Sequence, residues 1–257
     1  MYYEIISNRF APKISEFKNE KPTLSHSVCF GKCNFNCKFC DFTDRPIIQY
    51  RSFDNASFTR TIEQLIEKGN CFKFTGGEPT LNPHLEEHLK IVRSFNGFVY
   101  LDSNGSNPQK IENLLKQELI DVLGISLKGV TPEEAMQTSN VRSQKLVWDN
   151  VFETLRIAAS YKDKTRTIVT LVFTKENRFG RLQKFADLLA PFENVYMKIN
   201  NLQPNVHSES AELHSVDRTL LYDQIDKFVT ENPEWKNRTI FIPSEQGVSD
   251  YNSIIFF

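Results

Sequence analysis

Residues 71–102 read CFKFTGGEPTLNPHLEEHLKIVRSFNGFVYLD, and this stretch carries the pattern that decides the fold. Residues 71–75 form a short, largely apolar run that predicts a β-strand. Pro83 then starts a segment, 83–94, whose apolar residues recur at helical spacing, and a second apolar run follows at 98–102. A strand, a helix and another strand in this order are typical of two parallel strands joined by a crossover helix.

The same alternation continues on both sides of this stretch. A strand near 24–30 and a helix at 58–68 precede it, and the cap-like sequence Thr131–Glu134 starts a helix further on. The remaining predicted strands are 121–127, 167–173 and 195–199, and the remaining predicted helices are about 107–117, 144–161, 179–189 and 216–230. An apolar run at 239–242 follows the last helix. About six β-α units predict an α/β protein with a parallel sheet, either open and doubly wound or part of a barrel. Ligand sites in both architectures lie at the carboxyl ends of the strands.

Composition and charge exclude several classes of protein. The chain has 257 residues, 40% of them hydrophobic and 25% charged, so disorder of the whole chain is excluded. The net charge of -1 argues against nucleic-acid binding by bulk charge. We find neither an apolar run of about 20 residues nor a signal-peptide pattern, and therefore expect a cytoplasmic protein without a membrane partner. We divide the chain into an N-terminal extension (1–23), a core (24–202) and a C-terminal extension packed on that core (203–257).

The cysteines indicate a metal site. Cys29, Cys33, Cys37 and Cys40 lie within twelve residues, and only Cys71 lies elsewhere. Such a tight cluster is typical of metal ligation rather than of a secreted disulfide framework. With Cys29 as a fourth ligand the loop suits structural zinc, whereas three thiolates can hold an iron–sulfur cluster that keeps one iron open.

Three further segments, each directly after a predicted strand, carry residues suited to ligand contacts. Their glycines let the backbone approach a ligand closely. The segments are Thr75-Gly76-Gly77-Glu78-Pro79, Asp102-Ser103-Asn104-Gly105 and Ser126-Leu127-Lys128-Gly129. Together with the spacing Cys33-x3-Cys37-x2-Cys40 and with Phe39 before the third cysteine, this order of motifs resembles the radical S-adenosylmethionine (radical SAM) superfamily. The resemblance covers roughly residues 24–202.

This resemblance implies a partial (βα)6 TIM-type barrel with parallel strands, a [4Fe-4S] cluster and S-adenosylmethionine as cofactors. Cys33, Cys37 and Cys40 are the implied cluster ligands. The implied reaction is reductive cleavage of S-adenosylmethionine to a 5′-deoxyadenosyl radical that abstracts a hydrogen atom, with a flavodoxin- or ferredoxin-type electron donor. The implied contacts to S-adenosylmethionine are Phe39, Gly76, Gly77, Glu78, Pro79, Asp102, Ser103, Asn104, Ser126 and Lys128.

The layout is similar to two kinds of minimal radical SAM enzyme. The segment from Asp102 to Gly105 resembles glycyl-radical-enzyme activases. Ser126-x-Lys128 and the region from Cys40 to Thr43 resemble 7-carboxy-7-deazaguanine synthases. We expect hydrogen abstraction from a peptide or protein substrate. A nucleoside-like or other small molecule is the alternative, and a non-catalytic zinc or iron–sulfur protein is a distant one.

Some residues have two interpretations. Cys29 is a candidate hydrogen-atom donor or a buried small residue, and Lys128 is a candidate catalytic residue that meets a carboxylate of cofactor or substrate. Lys198 lies within a predicted strand, and it would need a charged partner if it pointed into the barrel. His84 and His88 match a zinc-protease pattern, but without an evident third ligand we interpret them as solvated helix residues.

Overall fold

The computed structural model describes residues 2–8, 25–40, 51–52, 54–174, 180–202, 216–242 and 255–257. The comparison made at Thr43 lies outside these residues, as do residues 203–215, with which the predicted C-terminal extension begins. None of the described helices combines the length and the apolar character that crossing a bilayer requires.

One sheet contains all ten strands of the described part of the chain, in the order β10-β9-β8-β7-β6-β5-β4-β2-β1-β3. Seven of them, β2 and β4 to β9, run parallel to one another. β1 pairs antiparallel with β2 and β3, and β10 pairs antiparallel with β9. The strands are β1 (Tyr2–Asn8), β2 (Ser25–Phe30), β3 (Arg51–Ser52), β4 (Cys71–Gly76), β5 (Phe98–Ser103), β6 (Val122–Leu127), β7 (Arg166–Phe173), β8 (Val195–Asn201), β9 (Thr239–Ile242) and β10 (Ile255–Phe256).

Helices connect successive parallel strands. Several begin at side-chain caps that the sequence supplies: Asp54, Asn107, Thr131 and Asp217 each accept a hydrogen bond from a backbone N–H of the first turn. A π-helical turn, Lys145–Asp149, replaces the first part of the helix that we predicted at 144–161. The helices are α1 (Asn55–Ile66), α2 (Leu85–Ser94), α3 (Pro108–Lys116), α4 (Pro132–Ser139), α5 (Asn150–Ala159), α6 (Arg181–Leu189) and α7 (Arg218–Glu231).

Alternate residues of each strand face either the helices or the interior of the curved sheet. On β8, Val195, Met197 and Ile199 pack in the main core between sheet and helices. Tyr196 instead joins a smaller interior cluster, so Lys198, two residues further along the strand, faces the interior too. The other members of that interior cluster are Cys71, Phe98, Tyr100, Val122, Ile168 and Ile240.

The predicted α/β class with a parallel sheet is confirmed, with a seventh parallel strand, β9, beyond the six units expected. β1 and β9 lie outside the core that we delimited at 24–202, yet both pair directly with strands of that core. The proposed division into extensions and core stays a prediction.

Candidate active site

A cavity of about 210 Å³ opens at the carboxyl ends of β4, β5 and β6, beneath the loop that carries the cysteines. It brings together every site residue expected from the sequence except Cys29, Glu78 and Pro79. Phe35 and Thr75 line it as well and were not expected, although Thr75 directly precedes the glycines. The lining residues are Cys33, Phe35, Cys37, Phe39, Cys40, Thr75, Gly76, Gly77, Asp102, Ser103, Asn104, Ser126 and Lys128.

The cysteine loop is held in place by backbone hydrogen bonds to the end of α4. The N–H groups of Asn36 and Lys38 donate to the carbonyls of Ser139 and Thr138, at 2.9 and 3.1 Å. Phe35 packs against Ala135 and Val147, and its N–H lies 3.3 Å from Cys33 Sγ. The loop therefore presents its thiols from a fixed backbone.

The two glycines after β4 are required by the cysteine loop itself. The N–H of Gly77 donates to the carbonyl of Phe30 and that of Glu78 to the carbonyl of Lys32, both at 2.6 Å. A Cβ on Gly77 would lie 2.1 Å from the Lys32 oxygen, and one on Gly76, at φ +99°, would lie 2.6 Å from the Phe30 nitrogen. The close approach that we expected toward a ligand is thus made to the backbone of the cysteine loop.

Glu78 is buried and its carboxylate is fully engaged within the protein. Oε1 accepts hydrogen bonds from the Thr80 N–H (3.0 Å), the Thr80 hydroxyl (2.6 Å) and the Ser103 hydroxyl (2.8 Å). Oε2 accepts from the N–H of Asn104 at 2.7 Å. Burial raises the pKa of Glu78, while these hydrogen bonds oppose that shift. The carboxylate therefore ties the loop after β4 to the end of β5 and does not line the cavity, and neither does Pro79.

Asn104 connects β5 to the cysteine loop. Its side-chain NH2 donates to Asn34 Oδ1 at 2.8 Å and lies 3.8 Å from Cys33 Sγ, while its Oδ1 accepts from the N–H of Ser106 at 3.0 Å. The family resemblance implies that Asn104 contacts S-adenosylmethionine. The structure shows that its amide already has partners beside the first cysteine.

Charges surround the cavity. Burial raises the pKa of Cys33 to about 11 and that of Cys37 in the same direction, whereas the nearby Lys128 ammonium acts to lower both. Lys128 Nζ also lies 5.8 Å from the centre of the Phe39 ring. Burial acts against ionisation of Asp102, but Lys73, Lys198 and Lys128 outweigh it and lower the pKa of this carboxyl. Asp102 is therefore anionic between cationic neighbours.

Cys29 does not join the other three cysteines of the cluster. It is buried on β2, outside the cavity, and its Sγ lies 4.0 Å from the carbonyl of Ser27. No three His, Cys, Asp or Glu side chains of the described residues converge as ligands of a single ion would. Thiols spaced around a cavity fit a polynuclear centre, in which each thiolate binds a different iron.

Comparison with known proteins places this site in a family context. Residues 27–189 match the sequence model of the family described as "Radical SAM superfamily". A protein from Thermococcus kodakarensis named probable GTP 3′,8-cyclase is 20% identical over 85% of this chain and 71% of its own length. The 7-carboxy-7-deazaguanine synthase of Haemophilus influenzae is 35% identical over 30% of this chain and 35% of its own. A Methanocaldococcus jannaschii protein, named as a glycyl-radical enzyme activating enzyme, is 22% identical over 70% of this chain and 69% of its own.

Solved structures share the fold. SuiB from Streptococcus suis, crystallised with S-adenosylmethionine, superposes with a TM-score of 0.64 at 15% identity and covers 84% of this chain. Its complex with the precursor peptide SuiA gives a TM-score of 0.65 at 15% identity over 92% of this chain. The chain spans about half the length of SuiB, 48% and 52% in the two structures. The partial-barrel fold implied by the motifs is confirmed.

Proposed function

This chain belongs to the radical SAM superfamily, and from that premise we propose that it cleaves S-adenosylmethionine at a [4Fe-4S] cluster and abstracts a hydrogen atom from a substrate in the barrel. Membership makes it an enzyme whose cofactors are S-adenosylmethionine and an iron–sulfur cluster. One observation carries the proposal: the cysteine loop, the glycines after β4 and the polar ends of β5 and β6 line the same cavity.

Cys33, Cys37 and Cys40 are the proposed cluster ligands. Thiols with raised pKa values must lose protons when they bind iron, and the positive charge of Lys128 favours the thiolate form of Cys33 and Cys37. The anchored backbone of the loop holds the thiols apart around the cavity, as a polynuclear centre requires.

The remaining lining residues suit a zwitterionic, nucleoside-bearing cofactor. When bound and reduced, the cluster supplies the electron that splits S-adenosylmethionine into methionine and a 5′-deoxyadenosyl radical. Lys128 offers an ammonium to the carboxylate of the cofactor, and the strand end at Gly76 and Gly77 offers backbone groups to its amine. Asp102 and Ser126 present polar side chains for the ribose, and the Phe39 ring gives the cavity an apolar wall.

The substrate we propose is a peptide or a protein, with electrons from a flavodoxin or ferredoxin. The fold shared with SuiB, which has been crystallised with a precursor peptide, supports a peptide at the open mouth of the barrel. A small molecule is the second candidate. The relatives named as a cyclase of GTP and as a deazaguanine synthase support it, and so does the charged interior of the barrel.

The proposal is tested by rebuilding the cluster under anaerobic conditions, adding S-adenosylmethionine and dithionite, and measuring 5′-deoxyadenosine by mass spectrometry. We expect the wild type to form it and Cys37→Ala to form none. Cys71→Ala is the matched control, because it removes a buried thiol that lies outside the cavity. Wild-type protein that holds iron and sulfide but forms no 5′-deoxyadenosine would contradict the proposal.

A further inference from the structure

The barrel interior next to the cofactor cavity holds an unequal set of charges. Lys73 on β4, Asp102 on β5 and Lys198 on β8 all lie on the faces of their strands that look inward. Asp102 also lines the cofactor cavity, so the two spaces adjoin. Among these three described side chains, two ammonium groups thus face one carboxylate.

Lys73 and Asp102 form an ion pair. Lys73 Nζ lies 2.9 Å from Asp102 Oδ2 and 4.9 Å from the centre of the Tyr100 ring. Some surface of both side chains stays open, 26% for Lys73 and 21% for Asp102, which shows that the interior around them is not filled. The negative charge of Asp102 is therefore already matched by Lys73.

Lys198 has no such partner among the described residues, where it forms neither an ion pair nor a side-chain hydrogen bond. Burial and repulsion by Lys73 lower the pKa of Lys198 to about 8, and attraction by Asp102 offsets this only in part. An ammonium group in such surroundings is costly unless an anion accompanies it.

Two neutral polar groups of this part of the barrel also lack hydrogen-bond partners within the residues that the structure describes. They are the Tyr100 hydroxyl and Asn200 Oδ1, both buried, and the whole Tyr100 residue is only 1% exposed. Asn200 lies on the same face of β8 as Lys198, nearer its carboxyl end, but its unpaired oxygen is an acceptor and does not bind an anion. The missing Cβ of Gly124 lets Tyr100 and Asp102 pack against its backbone, since a Cβ there would lie 2.9 Å from both the Tyr100 oxygen and Asp102 Oδ1.

We propose that Lys198 binds an anionic group of the substrate, a carboxylate or a phosphate, and that the Tyr100 hydroxyl donates a hydrogen bond to the same group. The identification of the bound molecule as substrate rests on the proposed function. Asp102 repels an anion and stands at the boundary with the cofactor cavity, so the anionic group is directed toward Lys198. The reacting part of the substrate then lies toward the cofactor cavity.

The test measures binding of two probes, inorganic phosphate and succinate, to the full chain with its cluster rebuilt, by calorimetry at constant ionic strength. We expect at least one probe to bind the wild type and Lys198→Met to weaken that binding by about tenfold or more, as loss of a charged hydrogen bond does. Lys198→Arg should keep most of the affinity. Lys184→Met, at an exposed position of α6, is the matched control and should bind as the wild type does. The probe that binds more tightly distinguishes a phosphate-bearing substrate from a carboxylate.

Absence of binding by either probe overturns the inference, as does equal binding by Lys198→Met. Should Lys198→Met fail to fold, Tyr100→Phe removes only the unpaired hydroxyl, and unchanged affinity in that variant also overturns the subsite. Protection of Lys198 from acetic anhydride by the bound probe, read by peptide mass spectrometry, locates the anion. These readouts do not depend on cleavage of S-adenosylmethionine, so failure of the proposed function and failure of the subsite are distinguishable.

Discussion

Gly77 shows how one missing Cβ determines the position of the cysteine loop. In Gly77→Ala the new methyl group would lie 2.1 Å from the Lys32 oxygen, and that atom belongs to rigid backbone. The hydrogen bond from the Glu78 N–H to the same oxygen would have to break. We expect a loss of about 1–3 kcal/mol in the free energy of unfolding. The displaced thiols should also lower the iron bound per chain, measured after reconstitution.

A glycine elsewhere gives the control for this substitution. A Cβ on Gly180 would meet no atom of the described residues within 4 Å, and its φ of +63° is one that asparagine tolerates. Gly180→Asn should therefore keep the iron content of the wild type. Equal iron in Gly77→Ala and the wild type would show that the loop can shift without losing its ligand geometry.

Substitution of Glu78 tests how much its hydrogen-bonded carboxylate stabilises the fold. Glu78→Gln keeps the shape but turns an NH2 group toward donors, so at least one of the hydrogen bonds from Thr80, Ser103 and Asn104 is lost inside the protein. We expect the free energy of unfolding in urea to fall by about 2–3 kcal/mol. Glu63→Gln, at an exposed position of α1, should change it by less than about 0.5 kcal/mol. A stability equal to the wild type would mean that the protein holds Glu78 in its neutral form.

At the scale of elements, sequence predicts what short-range patterns determine. β4, β5 and β6 are short apolar runs bounded by polar residues, glycine or proline, and each was predicted to within one or two residues. Thr131 was expected to start a helix and caps α4. β1 was missed because its pairing with β2 is a long-range contact that its own sequence does not indicate.

The candidate site, too, was predicted from the sequence only in part. Its segments could be expected at one edge of the sheet, because carboxyl ends of parallel strands meet there. The hydrogen bond from Asn104 to Asn34 joins side chains 70 residues apart, and that from Ser103 to Glu78 joins side chains 25 apart. Such pairings depend on rotamers and register. The sequence therefore predicts which residues lie at the site. It does not predict which of them form hydrogen bonds with one another.

The position of His88 on α2 corrects one prediction made from the sequence. We interpreted His88 as solvated, and this is wrong: it is 2% exposed and its ring centre lies 4.3 Å from that of Phe58. His88 follows Leu85 by three residues and precedes Val92 by four, so it belongs to the buried face of the helix. The zinc-protease pattern concerns metal-binding chemistry and does not indicate which face of the helix His88 occupies.

Burial of His88 predicts a pH dependence of stability. Burial, and then repulsion by His84, lower the pKa of His88 from the ordinary 6.5 to about 4. The His88 side chain therefore binds a proton below about pH 6.5 in the unfolded chain, but only below about pH 4 in the folded protein. The free energy of unfolding decreases as the pH falls through this window. In His88→Leu the slope of unfolding free energy against pH should decrease by up to about 1.4 kcal/mol per unit.

Urea unfolding at several pH values between 6.5 and 4.5 measures that slope. His84→Gln removes only the repulsion that adds to the effect of burial on the pKa of His88, so it should decrease the slope by less than His88→Leu does. A slope in His88→Leu that equals the wild-type slope would contradict the assignment of the pH dependence to this side chain.

At the scale of the whole molecule, the sheet ends in antiparallel strands on both sides, and the two ends differ in length. On one side β1 pairs with β2 over six residue pairs, and β2 leads directly into the cysteine loop. On the other side β10 pairs with β9 over two residue pairs. The edge beside the cofactor cavity is therefore the more extensively covered one, which favours a stable start for the loop.

Removal of each edge in turn tests this asymmetry. Deletion of residues 1–8 leaves the N–H and C=O groups on one side of β2 without their antiparallel partners, and such edges also promote aggregation. We expect faster hydrogen exchange of β2 amides, a lower unfolding midpoint and reduced iron content. Deletion of residues 255–257 removes a shorter ladder at the opposite end of the strand order and should leave the iron content unchanged. Equal effects of the two deletions would mean that the β1 edge has no special part in holding the cysteine loop.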